Sequence, residues 1–561
     1  MEKEPEVKNG AHILRRFEQA KTARAPYEPR WQEIAERILP RHGGAFFQNT
    51  MQAKGHNKNR RMLDVSGAKA LERFGAIMEG MLTPRMQRWH RLRVSNKDLN
   101  KVRRVQLYFD EVTDILFSER YAARSNFATA QYENYVSIGA FGTGIKFVEK
   151  PREKHQKGIR YRVMPLSGCY LLENYHGLID TNFRPIDLNA RQCVQAFSGE
   201  GDRLPDVVKK ELEKTGGPDE NRTFQFVHCV HPRADFDPDR IDINGTELQS
   251  TYVSGDDRGI VRDDGYATFP FPIGRYFTAP GETYGRGPGD LALGSLKTIN
   301  AMKVTMVEHG QRQVAPVFLS HDDGVADTFN YTPGFVNPGG LDSEGRELIK
   351  PMPVGNLAVG KDMMAAERKD IDDIFLSSLF QILVDKPEMT AEQFIGLLQE
   401  KGQLLAPAMG RQQTEDLGPC IERELDILAE QGMLPDMPGE LREARGEYKV
   451  EYDSPLARAQ KAEGISGFMR TTQFLLGVAT ATKNPSLLDR LDFDAATPEI
   501  AEAQAVPPGW IRSDEALEAL RQKGQDAIDT QTAIQAGPAV ANVLKALPQG
   551  AAPQGAAVPG G

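Results

Sequence analysis

The chain has 561 residues, with 40% hydrophobic, 26% charged and 8% aromatic side chains. That balance excludes wholesale disorder and leaves room for about two to four ordinary domains. Apolar runs such as 474–481 are far shorter than the roughly 20 residues of a bilayer-spanning helix, so no membrane association is expected. The charged first ten residues lack the apolar core of a secretory signal.

Charge is unevenly placed. The net value is −9, yet residues 1–110 hold 23 Lys/Arg against 12 Asp/Glu, a local +11 that leaves −20 for the remainder. A basic first fifth is compatible with nucleic-acid contact, and equally with a solvated face or with pairing to the acidic remainder. If DNA is a partner, this chain suits sliding better than gripping. The four cysteines, Cys169, Cys193, Cys229 and Cys420, never form C-x-x-C. They read as reduced, buried thiols rather than a disulfide framework or a zinc site.

Along the chain, residues 11–40 are helical in period through Ile13, Leu14 and Phe17, then Trp31, Ile34, Ile38 and Leu39, with a break at A-P-Y-E-P over 25–29. Residues 41–60 are a basic, polar loop. A second helix spans 63–82 on Leu63, Ala70, Leu71, Phe74, Ile77, Met78 and Met81, ended by Pro84. A third spans 99–120. From about 140 to 280 the pattern turns β-rich, with strand-like pieces at 141–150, 158–172, 178–197 and 223–231. Asn244-Gly245 reads as a two-residue hairpin turn.

Helical period returns over 290–313, predicting a rod of about 36 Å. Residues 314–356 are rich in Pro and Gly, with short apolar strands. A second long helix follows at 360–383, on Ile371, Ile374, Phe375, Leu379 and Leu383. After a break at 384–390, a helical run over 391–432 contains Pro407 and Pro419, which should kink it. A helical bundle is expected over 454–530, then a low-complexity Ala/Pro/Gly tail at 536–561.

Catalytic chemistry is sparse. There is no P-loop, H-E-x-x-H or G-x-S-x-G string. G-R-G-P-G at 285–289 mimics part of a dinucleotide fingerprint, but carries Pro in the phosphate-facing turn. His228 and His231 would point to opposite faces of a strand, a structural pair rather than metal ligands. Asp256-Asp257, Asp263-Asp264 and Asp322-Asp323 read as turns. No catalytic residue, metal ligand or cofactor is assigned. What remains is an architecture: long helix, Gly/Pro-rich insert, long helix, break, kinked helix. Such a hairpin generally packs against copies of itself.

Several strings carry a resemblance. They are GETYGRGPGDLALGSLKTIN at 281–300, MTAEQF at 389–394, LLAPAMGRQQTEDLGPCIERELDIL at 404–428 and SPLARAQ at 454–460. HGLIDTNFRPIDLNARQCVQAF at 176–197, HPRADFDP at 231–238 and TPRMQRWHRL at 83–92 belong with them. In order and spacing, over about 10–530, the chain resembles the head-to-tail connecting, or portal, proteins of short-tailed bacteriophages. The resemblance implies a mainly helical α+β protomer in a ring, usually of twelve subunits, at one capsid vertex. DNA would enter through the ring, driven by a separate terminase, and leave by it at infection.

By position, the resemblance implies a wing over 1–285, a first stem helix over 286–313, a clip over 314–356 and a second stem helix over 357–383. A tunnel loop would follow at 384–390, wing again at 391–450, and a helical crown at 451–535. Val384, Asp385, Lys386, Pro387 and Glu388 would narrow the channel, or form an ordinary turn. Lys297, Lys303 and Arg312 are candidates to line it, or else pair with neighbouring acids such as Glu308. Phe318, Phe329, Tyr331 and Phe335 are candidate clip contacts, or a small local core. Implied partners are further copies of the chain, double-stranded DNA, the major capsid protein, a scaffolding protein, terminase and a tail adaptor. The implied location is the virion, with assembly in the host cytoplasm. The alternatives are a metal-dependent phage DNA-processing enzyme and a head–tail adaptor, the latter class being usually much shorter.

Overall fold

The structure, a computed structural model, describes residues 10–39, 46, 62–96, 98–151, 156–199, 202–214, 217–240, 242–320, 329–330, 332, 334–338, 340–353, 355, 357–377, 407–443, 448–453, 455–482, 491–503, 512 and 516–523. These form a mixed helix-and-sheet protein. The chain divides into two compact units: one of Met1–Leu92, Glu111–Asp436 and Lys449–Ala459, the other of Arg93–Asp110, Met437–Tyr448 and Gln460–Gly561. Each is described by itself.

In chain order, the first elements are α1 (Ala11–Arg24), α2 (Glu28–Ile38), α3 (Ser66–Leu82), β1 (His90–Arg93), α4 (Arg103–Arg120) and α5 (Phe127–Phe141). The break between α1 and α2 falls where the Pro-containing string predicts it. Leu63 lies ahead of α3 and is exposed, not part of its buried stripe. Helix α5 has no counterpart in the sequence reading, and the reason is physical. Of its fifteen residues only Thr129 and Glu133 are exposed, so no polar face marks a helical period. It ends at Gly142, whose φ of 76° is the left-handed C-cap glycine adopts readily.

Strands follow: β2 (Thr143–Glu149), β3 (Arg160–Met164), β4 (Tyr170–Glu173) and β5 (Ile179–Asn189). After α6 (Ala190–Ala196) and α7 (Asp206–Leu212) come β6 (Thr223–Pro232), β7 (Leu248–Ser254), β8 (Ile260–Tyr266) and β9 (Ile273–Arg275). Residues 190–196, expected as strand, are helix. Asn189 accepts from the Gln192 amide at 2.9 Å and Gln192 returns a bond to the Asn189 N–H, a capping box that stops the strand. Asn244-Gly245 is not a two-residue hairpin either. It lies in a 3-10 turn within a longer connection, because register pairs Pro232 with Leu248. Asp263 and Asp264, expected in a turn, stand on β8, where Asp263 accepts from Gln249 at 2.9 Å.

The strands make a three-stranded antiparallel sheet, β3-β2-β9, and a five-stranded meander, β4-β5-β6-β7-β8. Alternation along β6 sorts its side chains. Val227 and Cys229 join Phe183 and Val253 beneath Ile13, Phe17 and Ala20 of α1. Phe224 and Phe226 join Cys193, Phe197 and Val208 under α6 and α7. Both faces of the meander are thus covered. His228 stacks on Tyr252 at 4.1 Å and bonds Ser250 at 3.0 Å, whereas His231 bonds the Pro232 carbonyl at 2.8 Å.

The later elements are α8 (Pro288–Val314), β10 (Phe318–Ser320), β11 (Ile349–Pro351), α9 (Leu357–Ile374), α10 (Gly418–Glu430), α11 (Gly439–Glu443), β12 (Lys449–Tyr452), α12 (Pro455–Thr482) and α13 (Phe493–Ala503). The helix expected over 360–383 ends at Ile374. Leu376 takes a positive φ of 59°. Residues 378–406 lie outside the described residues.

The kink expected at Pro419 is a π-turn, Gln413–Leu417, between helical residues 407–412 and α10. Pro419 has no N–H, and its ring crowds the carbonyl four residues back, which favours a wider turn there. The turn also maintains register. Ala408, Gln412, Asp416, Cys420, Glu424 and Leu428 are all buried at a strict spacing of four. In an α-helix that stripe drifts by about 40° per step, about 200° in all. One extra residue in the π-turn takes back about 100°, leaving a face as wide as a core normally accepts.

Asp416 and Glu424 on this stripe bring charge into the centre. Glu424 pairs with Arg120, both fully buried, and accepts from Tyr161 Oη at 2.6 Å. Arg120 also lies 2.9 Å from His90 Nε2. Burial, with Arg120 and Arg88 nearby, keeps His90 neutral by holding its pKa well below the usual value. Burial works against the Arg120 charge as well, but Glu424 outweighs it. Asp416 lies 3.2 Å from Lys146 and accepts from Gln131 at 3.1 Å and Asn134 at 3.3 Å. In the second unit, Phe468 and Phe493 meet edge to face, and Arg521 forms a two-pronged bond to Asp494 at 2.7 and 2.9 Å.

Candidate functional site

Helix α8 has 27 residues, about 40 Å of rod. It begins at Pro288, with the Gly287 amide bonded to Asp290 Oδ2 at 3.0 Å. The glycines of G-R-G-P-G allow close packing against the backbone of the α5–β2 junction. A Cβ on Gly287 would lie 2.5 Å from the Ile138 carbonyl oxygen, and one on Gly285 or Gly289 would strike Gly142 or Ala140. The resemblance to a phosphate loop therefore has a packing explanation.

The base of α8 is fastened to the body. Ala292, Leu296 and Ile299 are buried. Arg30 of α2 reaches Asp290 at 2.7 Å, and Lys297 pairs with Glu33 of the same helix. The Asn300 side-chain oxygen accepts from the backbone amides of Leu63 at 2.9 Å and Asp64 at 3.1 Å. Asp64 in turn takes a bond from Arg368 on α9 at 2.7 Å, and Arg73 of α3 lies 3.7 Å from Asp372. Helix α8 is thus tied to α2 and to the segment leading into α3, and α9 to that segment and to α3. Burial raises the Asp290 pKa in spite of Arg30. Burial also works against the Asp64 carboxylate, but bonds from Arg368 and Ser66 outweigh it and hold its pKa low.

Beyond Asn300 no residue of α8 is fully buried. The hairpin continues to a tip where β10 and β11 pair antiparallel, Phe318 opposite Pro351 and Ser320 opposite Ile349. The Asn337 side chain grips the Asn330 backbone, its oxygen accepting from the Asn330 N–H at 2.7 Å and its amide donating to the Asn330 carbonyl at 2.8 Å. Asp342 accepts from the amides of Glu344 and Arg346, closing a turn at Gly345.

The expected site residues fall as follows. Lys297 is at the base, in an intramolecular pair, though with Glu33 rather than Glu308. Lys303 is half-buried, and Arg312 is exposed in the last turn of α8. Phe318 and Phe335 are exposed at the tip, whereas Phe329 is half-buried near Gly340. Tyr331 and the segment Val384, Asp385, Lys386, Pro387 and Glu388 lie outside the described residues. Sequence reasoning missed the base contacts of Asp64, Asn300 and Arg368. They join residues more than 230 positions apart, and no local pattern marks such a meeting. Among the described residues, no three His, Cys, Asp or Glu gather as a metal site, and no helix is long and apolar enough to cross a membrane.

Comparison with known proteins places this architecture. The family model described as bacteriophage head to tail connecting protein matches residues 10–511. The portal protein of Salmonella phage epsilon15 is 26% identical over 547 residues, covering 95% of this chain and 94% of that protein. The probable portal protein of Bordetella phage BPP-1 is 26% identical over 533 residues, covering 92% and 91%. With the match running through the body, the hairpin and the helices that follow, the chain belongs to the bacteriophage head-to-tail connecting family, the phage portal proteins.

Proposed function

We propose that the chain works as a non-enzymatic ring of about twelve copies at one capsid vertex, a conduit for double-stranded DNA during packaging and ejection. The observation that carries this reading is the contrast within the hairpin. Its base is bolted to the body by ion pairs and buried side chains, while its outer half exposes Val304, Val307, Val314, Val359 and Met363. Apolar side chains spaced along one projecting rod are a surface that copies of the chain would cover.

The charge balance supports a sliding contact. Each phosphate neutralised by a fixed cation adds a counterion-release contribution that must be undone as DNA moves. A chain of net charge −9 adds few such contacts. In this reading Lys303 and Arg312 temper repulsion along the channel, while Lys297 is engaged with Glu33. The segment 384–390 forms the constriction, and the tip with Phe318 and Phe335 docks terminase and tail adaptor. The capsid and scaffolding proteins contact the outer body. Coverage of more than nine-tenths of the curated relatives supports a full-sized portal over a short adaptor.

The test is native mass by light scattering, with negative-stain images of the same peak. A ring near 750 kDa, twelve times 62.3 kDa, is expected. A monomer that persists at high concentration would overturn the reading. Deleting 384–390 should then leave the ring intact and impair DNA packaging or retention; loss of the ring instead would remove the loop assignment.

A further inference from the structure

The two helices of the hairpin expose apolar residues on opposite sides. The seam between them is marked by Met306 and Gly360, since a Cβ on Gly360 would sit 2.7 Å from Met306 Sδ. Taking about 100° per residue from that seam, Val307 and Val304 on α8 lie at about +100° and +160°, with Val314 near +80°. On α9, Met363 and Val359 lie at about −60° and −100° from Gly360. In an antiparallel pair, equal rotations from the seam fall on one face and opposite rotations on opposite faces. The α8 stripe therefore looks out of one side of the hairpin and the α9 stripe out of the other. All four are well exposed, Val304 at 41%, Val307 at 50%, Val359 at 60% and Met363 at 52%.

The stripes also share a level. Val307 and Val359 each stand one residue on the tip side of the seam contact. Val304 and Met363 stand two and three residues on the base side, so all four fall within about 6 Å along the rod at 1.5 Å per residue. A rotation about an axis parallel to the hairpin preserves level. It therefore brings the α8 stripe of one copy against the α9 stripe of the next without any slide. Two unlike faces on opposite sides form a heterologous contact, the kind that generates rings; a self-complementary contact would need one face to meet itself.

We propose that copies of this chain associate head to tail through the hairpin, Val304 and Val307 of α8 in one copy packing on Met363 and Val359 of α9 in the next. The proposal rests on the oligomeric reading above and adds to it the two surfaces and their pairing.

Cysteine cross-linking tests it. The four native thiols are buried, and burial pushes the Cys169 and Cys193 pKa values up to about 11 and that of Cys229 to about 12. They compete little with a surface thiol. Full-length Val307→Cys/Val359→Cys and Val304→Cys/Met363→Cys double variants, oxidised with a copper catalyst, should give a ladder of disulfide-linked multimers on a denaturing gel. Each single variant should stay monomeric on that gel, and an equimolar mixture of the two singles should stop at dimers. Native mass is measured on every variant. An oligomer of unchanged mass whose double variants do not cross-link overturns the pairing and leaves the ring reading standing. Dimers from a single variant alone show a self-complementary contact and also overturn it. Monomeric unsubstituted protein removes the ring reading, and the pairing with it.

Discussion

Around β2, two cations sit at the centre of the fold with matched acids, while along the outer hairpin four aliphatic side chains face water. The body buries Arg120 with Glu424 and Lys146 with Asp416, an arrangement tolerated only because every charge has a partner and further hydrogen bonds. The hairpin leaves Val304, Val307, Val359 and Met363 uncovered. The same chain thus hides its charges in one region and exposes apolar groups in another. The lesson is that the body satisfies its charges within one copy, whereas the hairpin leaves apolar surface that the proposed assembly would cover. Substitutions in the body should act on the stability of the single chain, and substitutions on the hairpin on assembly.

The largest effect is expected from breaking a buried pair. Glu424→Ala leaves Arg120 charged and unpaired in the core, and should cost about 3–5 kcal/mol in urea unfolding. Arg120→Met/Glu424→Leu should regain most of that loss, because no isolated charge remains. If Glu424→Ala were neutral, the body would not depend on its internal ion pairs. Gly142→Ala comes next. It combines a left-handed φ of 76° with a Cβ directed into the Arg286 backbone, and should cost about 1–3 kcal/mol, read as a lower melting temperature.

The base of the hairpin should respond to acid. Asp64 has a depressed folded pKa, so its contribution is present above the unfolded value of about 3.9 and is lost as pH falls through the folded one. Unfolding measured from about pH 5 downward should show a steeper loss for the unsubstituted chain than for Asp64→Asn. Parallel curves would remove Asp64 from the clamp. Lys297→Gln should cost only about 0–1 kcal/mol, since its pair with Glu33 is solvent-exposed. The smallest change in single-chain stability, within about 0.5 kcal/mol, is expected for Val307→Asp. That same variant should lose the high-mass species in light scattering, which makes it the sharpest test of the contrast between regions. A stable monomer with normal unfolding would confirm it; an undisturbed oligomer would break it.

Helices α1 to α4 and α8 were legible because each has an apolar stripe opposite a polar face, and Pro marks an end of α1, α2, α3 and α8. The hairpin-and-insert order was legible for the same reason, and so were the strings that resemble the connector family. Helix α5 was hidden by burial on nearly all sides. The strand-to-helix switch at Asn189 was hidden by a side-chain cap within an apolar run. The π-turn was foreshadowed only as a kink at Pro419. What the sequence alone determined is therefore periodicity, punctuation and family, which depend on neighbours along the chain. Only the tertiary structure decided which acids meet Arg120, Lys146 and Arg368, and which valines remain uncovered. Those outcomes depend on residues brought together from far apart, whose energies arise from burial and pairing in space rather than from spacing in the chain.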